Sequence, residues 1–232
     1  MRALLLAAVS HDLRSPLAAA RAAVSCLRTR DLPLTVADQD ELLATADQAL
    51  DLLSRLAASL LDVTRLQAGA RSVFPRPADL GTIIGSALGG LGPPARTVRV
   101  DLPAGLARVM ADPPLLERVV ANVTANALRY SPAGAPPVLT AHTRGARVEL
   151  RVADRGPGVA EADRDQMFIP FARLGGTGPG TGAGLGLGLA VSRGLTEAMG
   201  GTLDAGDTPG GGLTMTISLP AVPAVPSAVR SS

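Results

Sequence analysis

The chain of 232 residues has no Lys, no Trp, one Tyr, three Phe, two His and one Cys. Cys26 alone cannot close an internal disulfide, so the sequence fits a reducing compartment and a cytoplasmic location. Aromatics make up only 2 % of a composition that is 47 % hydrophobic, so any core must be built from Leu, Val, Ile and Ala. All 22 basic residues are Arg, against 20 acidic ones. The formal charge of +2 is too small to point to nucleic acid. The apolar run Ala3 to Val9 is cut short by His11, Asp12 and Arg14. A membrane-spanning helix needs ~20 apolar residues, and no signal-peptide cleavage pattern precedes those charges, so no transmembrane segment is expected.

What is present divides by composition. Residues 2–28 hold no Gly, and Leu13, Leu17, Ala20, Val24 and Leu27 recur at steps of four and three. This is a heptad-like seam on one helix. Thr35 lies three residues before Asp38, a capping arrangement for a second helix. That helix carries Leu42, Ala46, Ala49, Leu53, Leu56, Leu60 and Val63 and stops at Gly69. Two seamed helices predict an antiparallel hairpin over residues 1–70, and dimerisation into a four-helix bundle would cover both seams. With a turn near Pro33, the second helix outruns the first below His11, leaving Leu60, Val63 and Leu66 without full cover. The expectation is a module that continues upstream and dimerises weakly as it stands.

Beyond Gly69, Pro and Gly become frequent and short β-like runs begin. Strands are predicted at Val98 to Val100, Val138 to Ala141, Val148 to Val152 and Thr214 to Leu219. Helices are predicted at Asp79 to Leu91, Pro113 to Tyr130 and Leu187 to Met199. The fold class is α+β, with a sandwich domain over 71–220. The Pro-, Ala- and Ser-rich tail 221–232 is predicted to be disordered.

Four clusters carry chemistry. In Ser10-His11-Asp12-Leu13-Arg14-Ser15-Pro16-Leu17, His11 falls two residues before a seam position, on the hairpin's flank. A neutral imidazole nitrogen can attack phosphorus while the adjacent Asp12 takes or orients the other ring proton. Pro16 would loosen the helix one turn on. In the predicted helix 113–130, with Asp112 as N-cap, Asn122 and Asn126 are four apart and share a face. Amide oxygens are hard ligands suited to Mg²⁺, and Arg129 can reach phosphate oxygens. A polar helix face is the plainer alternative. Asp154-Arg155-Gly156-Pro157-Gly158 follows a strand, where a carboxylate can accept a hydrogen bond from the amine of adenine and glycines let backbone approach the ring. Such a sequence is elsewhere only a tight turn. Gly184, Gly186 and Gly188 open a helix whose N–H groups can bind phosphate, although Gly182 also fits the spacing. A Rossmann loop is rejected, because that loop belongs to an early strand–turn–helix unit.

Together these clusters resemble the boxes of two-component sensor histidine kinases. The first octet resembles the H-box. The stretch Asn122 to Tyr130 resembles the N-box, with Arg129 where Lys is usual. Asp154 to Gly158 resembles the G1 box, and Phe168, Phe171 and Arg173 resemble the F-box anchoring a lid over Gly175 to Ala183. Gly184 to Leu189 resembles the G2 box. Within the family, Ser192 to Gly201 and Gly211-Gly-Leu-Thr-Met resemble the potassium-responsive KdpD sensor kinases.

The resemblance implies a dimerisation and phosphoacceptor hairpin followed by a Bergerat-type ATP-binding sandwich. It implies ATP and Mg²⁺, with Asn122, Asn126, Arg129, Tyr130, Asp154 and the box glycines at the nucleotide. It further implies a homodimer, a KdpE-like response regulator as partner, and membrane-anchored full-length relatives. Ser15 stands where the family usually has Thr or Asn to hold water for regulator dephosphorylation; its hydroxyl can still bond a water. The alternatives are a kinase-like nucleotide-binding scaffold without phosphotransfer, and an ATPase of the same fold, which the phosphoacceptor hairpin disfavours.

Overall fold

A computed structural model of the chain describes residues 2–29, 34–67, 73–170, 172 and 186–222. Within the helices, the side chains of residues 2–13, 52, 55, 56 and 58–67 lie outside that description. The chain divides into two compact units, residues 1–70 with 169–188, and residues 71–168 with 189–232.

In the first unit, α1 (Arg2–Arg28) packs against α2 (Val36–Gln67). The α2 start is a reciprocal capping box. The Thr35 N–H and hydroxyl both donate to Asp38 Oδ2, at 2.8 and 2.7 Å, and the Asp38 N–H donates back to Thr35 Oγ1 at 3.2 Å. α1 runs through Pro16 without a break. The predicted seam is corrected in one respect. Leu17 and Val24 are exposed, and among the described side chains of the hairpin the buried ones are Pro16 and the alanines Ala20, Ala23, Ala46 and Ala49. Small residues let the two helix backbones approach, which leaves Leu17 and Val24 outside, while the predicted seam residues Leu27, Leu42 and Leu53 are partly buried. Leu43 and Leu50 on α2 are likewise exposed. Each pair, 17/24 and 43/50, is one heptad apart and marks one helix face. The side chains of Leu60, Val63 and Leu66, and the predicted stop at Gly69, fall outside the described residues.

In the second unit a five-stranded sheet has the order β2-β4-β5-β7-β6. These are β2 (Arg99–Asp101), β4 (Val138–Arg144), β5 (Arg147–Ala153), β7 (Leu213–Pro220) and β6 (Thr202–Asp207). Only β2 and β4 pair in parallel. A separate antiparallel pair joins β1 (Arg76–Ala78) to β3 (Val109–Ala111). Alternation puts Leu139, Leu150, Val152, Ile217 and Leu219 in the core, each at most 2 % exposed. Against them stand α3 (Leu80–Gly90), α4 (Pro113–Tyr130) and α5 (Gly188–Ala198), which bury Ile84, Leu116, Val119, Val120 and Leu195. α3 packs on α4, and α4 on β5. This is an α+β fold with a helical layer over a mixed sheet.

Local signals account for the helix starts. Asp79 caps α3 by accepting from the Thr82 N–H at 2.8 Å. Asp112 caps α4 ahead of Pro113, as the sequence predicts. Three strands escape the sequence reading. β1 and β3 are three residues each, too short to show a period. β6 reads Thr-Leu-Asp-Ala-Gly-Asp, poor in strand formers, and is held as a strand by pairing with β7.

Candidate nucleotide and phosphoacceptor sites

α4 presents Asn122 and Asn126 on one face, both partly buried. The Asn122 amide N–H donates to Ser192 Oγ at 3.4 Å, and Ser192 is fully buried on α5. The N–H side of that amide is thereby turned to α5, and its oxygen is not consumed by the bond. At the end of the same helix, Arg129 is exposed, with its guanidinium 5.8 Å from the centre of the exposed Tyr130 ring. Tyr130 also meets the second cluster. A Cβ on Gly156 would stand 2.8 Å from the Tyr130 carbonyl oxygen, so only glycine fits.

Asp154 closes β5 and is 6 % exposed. Its backbone N–H donates to the Leu213 carbonyl at 2.9 Å, extending the β5–β7 ladder. Its carboxylate Oδ1 accepts from the N–H groups of Gly156 at 2.8 Å and Leu213 at 3.0 Å. Both bonds fall on one oxygen, and Oδ2 takes part in neither. Gly158 adopts φ +72° in the same turn.

Phe168 is buried, and the Arg193 guanidinium of α5 lies over its ring at 4.5 Å. Arg193 is itself held by Asp165 at 3.8 Å and Glu197 at 3.5 Å. Gly186 adopts φ +62°, and α5 begins at Gly188, leaving its first N–H groups without intrahelical partners. Phe171, Arg173, Gly184 and the predicted lid segment 175–183 lie outside the described residues.

His11 and Asp12 fall in the α1 backbone, but their side chains are outside the description. Ser15, one turn further along, is exposed. The structure thus joins Asn122 to α5, Tyr130 to Gly156 and Phe168 to α5, while His11 belongs to the other unit. The sequence reading missed Ser192, Arg193, Gly212 and Leu213 as neighbours of these residues. The only signal for the last two was the stretch Gly211-Gly-Leu-Thr-Met, which carried the KdpD resemblance and no site role.

The donor set suits the groups expected here. A buried acceptor and a glycine cradle fit an adenine edge. Among the described residues there is no cluster of three His, Cys, Asp or Glu. Mg²⁺ does not require one, since it keeps several waters and binds through few protein oxygens together with substrate phosphates. Asn122 and Asn126 can supply such oxygens.

Comparison with known proteins places these features. Residues 1–69 match the His Kinase A (phospho-acceptor) domain. Residues 111–223 match the histidine kinase-, DNA gyrase B- and HSP90-like ATPase family. The sensor protein KdpD of Mycobacterium tuberculosis H37Rv is 48 % identical over 231 residues, covering 95 % of this chain and 26 % of that protein. KdpD of Escherichia coli K12 is 35 % identical, covering 95 % and 24 %. The chain therefore spans about a quarter of the length of these relatives. Among solved structures, full-length ShkA in complex with AMPPNP aligns with TM-score 0.67 at 28 % identity, covering 95 % of this chain and 46 % of that one. The Acinetobacter baumannii histidine kinase AdeS shares the fold, with TM-score 0.69 at 21 % identity over 92 % and 98 %. No described helix is long and apolar enough to cross a membrane. With the phosphoacceptor domain, the ATPase domain and close KdpD relatives aligned along its length, the chain belongs to the histidine kinases as a KdpD-like catalytic region.

Proposed function

We propose that this chain binds Mg·ATP, phosphorylates His11 and passes the phosphoryl group to an aspartate of a response regulator. The observation that carries the nucleotide half is the Asp154 carboxylate, buried at a strand end and oriented by two backbone N–H groups. Its free oxygen accepts from the adenine amine, while Gly156 and Gly158 let the ring lie against backbone. Asn122 and Asn126 hold Mg²⁺, which when bound neutralises charge on the phosphate oxygens. Arg129 adds a cation, and the α5 start at Gly188 offers N–H groups to the phosphates, with Gly184 and Gly186 joining it as the G2-box resemblance implies. Tyr130 is placed at the nucleotide, and Phe168, Phe171 and Arg173 take the F-box role that the resemblance implies.

In the transfer step, a His11 ring nitrogen attacks the γ-phosphorus. The new P–N bond forms as the P–O bond to ADP breaks, and the other ring proton passes to Asp12. The Ser15 hydroxyl can bond a water for regulator dephosphorylation, in place of the usual Thr or Asn. Residues 1–70 act as the dimerising phosphoacceptor domain, 71–220 as the catalytic domain and 221–232 as a tail. The exposed 17/24 and 43/50 pairs supply the apolar face for a homodimer. The kinship with KdpD supports a KdpE-like regulator, a role in potassium homeostasis and a cytoplasmic site of action. Incubation with γ-radiolabelled ATP tests the reading. Label stable to base and labile to acid is expected on His11, followed by transfer to the regulator. A chain that binds ATP and gains no label would be a nucleotide-binding scaffold instead.

A further inference from the structure

The glycine run before β7 lies against the Asp154 turn more closely than any side chain would permit. A Cβ on Gly212 would stand 2.1 Å from the Asp154 carbonyl oxygen, 2.7 Å from its carbon and 2.9 Å from Arg155 Cα. These neighbours are all backbone, so none can swing away. Gly212 also adopts φ +111°, and Gly210 and Gly211 precede it at +87° and +103°. The turn is internally tied. Thr208 N–H donates to Gly212 O at 3.1 Å, and Gly211 N–H donates to Thr208 O at 2.9 Å. The Thr208 and Thr214 hydroxyls share a 2.8 Å hydrogen bond across its base. Arg155 spans the gap by donating to the Pro209 carbonyl.

This contact delivers the Leu213 N–H to Asp154 Oδ1. With the Gly156 N–H on the same oxygen, the carboxylate is fixed about its own axis and one oxygen is saturated. The other oxygen is left as an acceptor in a set direction. A carboxylate free to rotate would present either oxygen, or a protonated hydroxyl, to a purine edge. We infer that Gly212 is a positioning residue for nucleotide recognition: by letting Leu213 clamp Asp154, it sets the preference for a purine that carries an exocyclic amine. The inference rests on the adenine role proposed for Asp154.

The test uses the whole chain and two probes, ATP and purine riboside triphosphate, which lacks the amine. The wild type should bind ATP roughly 10- to 100-fold more tightly, as a hydrogen bond to a charged acceptor predicts. Asp154→Asn should bring the two dissociation constants close together; if it does not, the adenine contact itself is wrong and the inference falls with it. With that contact established, Gly212→Ala should shrink the preference to about threefold or less by weakening ATP alone. Combining both substitutions should lower it no further. Gly211→Ala is the control, because its φ is equally positive but its Cβ would meet nothing within 4 Å; it should keep the wild-type preference. An unchanged preference in Gly212→Ala, or an equal loss for both nucleotides, overturns the inference. Should that variant not fold, Asp154→Ala decides. The amide protons of Leu213 and Gly156 should then both move upfield on losing an anionic acceptor, and an unmoved Leu213 amide refutes the clamp.

Discussion

The two units solve burial in opposite ways. The hairpin buries alanines between its helices and leaves Leu17, Val24, Leu43 and Leu50 about half exposed. The catalytic unit buries Leu116, Leu139, Leu150, Leu195 and Ile217 completely or nearly so. A Leu or Ile side chain contributes ~1.5–3 kcal/mol on full burial, and an alanine methyl much less. One unit therefore has a large apolar core of its own, while the other leaves larger apolar groups exposed. His11 belongs to the first unit, while Asn122, Asn126 and Asp154, proposed for the nucleotide, belong to the second.

The largest expected effect separates the units outright. His11→Gln should abolish autophosphorylation and leave the ATP dissociation constant within about twofold, because His11 and the proposed adenine and Mg²⁺ residues Asp154, Asn122 and Asn126 belong to different units. Label that persists in the variant with acid-labile, base-stable chemistry would move the acceptor elsewhere. His142, the other histidine, sits on β4 paired to Glu149 at 3.1 Å and should carry none.

The next pair tests the contrast in burial. Leu150→Ala should destabilise the catalytic unit by ~2–5 kcal/mol, the usual range for a fully buried Leu. Leu50→Ala should leave its melting unchanged and weaken self-association about tenfold or more, since an exposed heptad position matters only once a second chain covers it. Calorimetry reads the first and analytical ultracentrifugation the second. A self-association unaffected by Leu50→Ala would remove the 43/50 pair from the dimer face.

A smaller effect probes the shared face of α4. Asn126→Asp adds a negative charge beside the triphosphate, and ~1.4 kcal/mol of repulsion corresponds to about tenfold in rate. The Mg²⁺ optimum should rise in parallel. Wild-type rates across a Mg²⁺ titration would reduce Asn126 to a polar surface residue.

These contrasts also show what a sequence discloses. Helix starts at Val36 and Pro113 were legible because capping is local: Thr35 meets Asp38, and Asp112 meets Leu115, three residues away. The strands β4, β5 and β7 were legible from their alternation. The hairpin was legible as a hairpin, but a 3–4 period cannot distinguish the alanine side of a helix from the leucine side when both lie near the seam. Site residues within one motif were visible as motifs. Their supports were not, because Leu213 lies 59 residues from Asp154 and Ser192 lies 70 from Asn122. Such pairs are joined by sheet order and helix packing, which no spacing encodes.

The smallest effect concerns acid, and it again divides the units. In the hairpin, Asp38 is held below its ordinary 3.8, first by the Thr35 hydroxyl and then by the Thr35 N–H. In the catalytic unit, Asp79 is lowered chiefly by the Thr82 N–H, and Glu149 chiefly by its hydrogen bond from Arg151. The sign is common to all three. A carboxylate whose pKa falls on folding adds stability above its unfolded pKa and loses it as pH falls through the folded one. Both units should therefore weaken below about pH 4, with no change from this source between pH 5 and 8. Thr35→Ala removes both the hydroxyl that lowers Asp38 and the acceptor for the Asp38 N–H. It should flatten the acid dependence of helicity in the hairpin alone, leaving the acid limb of the catalytic unit unchanged. Circular dichroism of the full chain from pH 5 downward, with and without Thr35→Ala, reads the difference. The same acid profile in both proteins would mean that the capping box does not couple to pH, and that the hairpin's response to acid comes from elsewhere along α1 and α2.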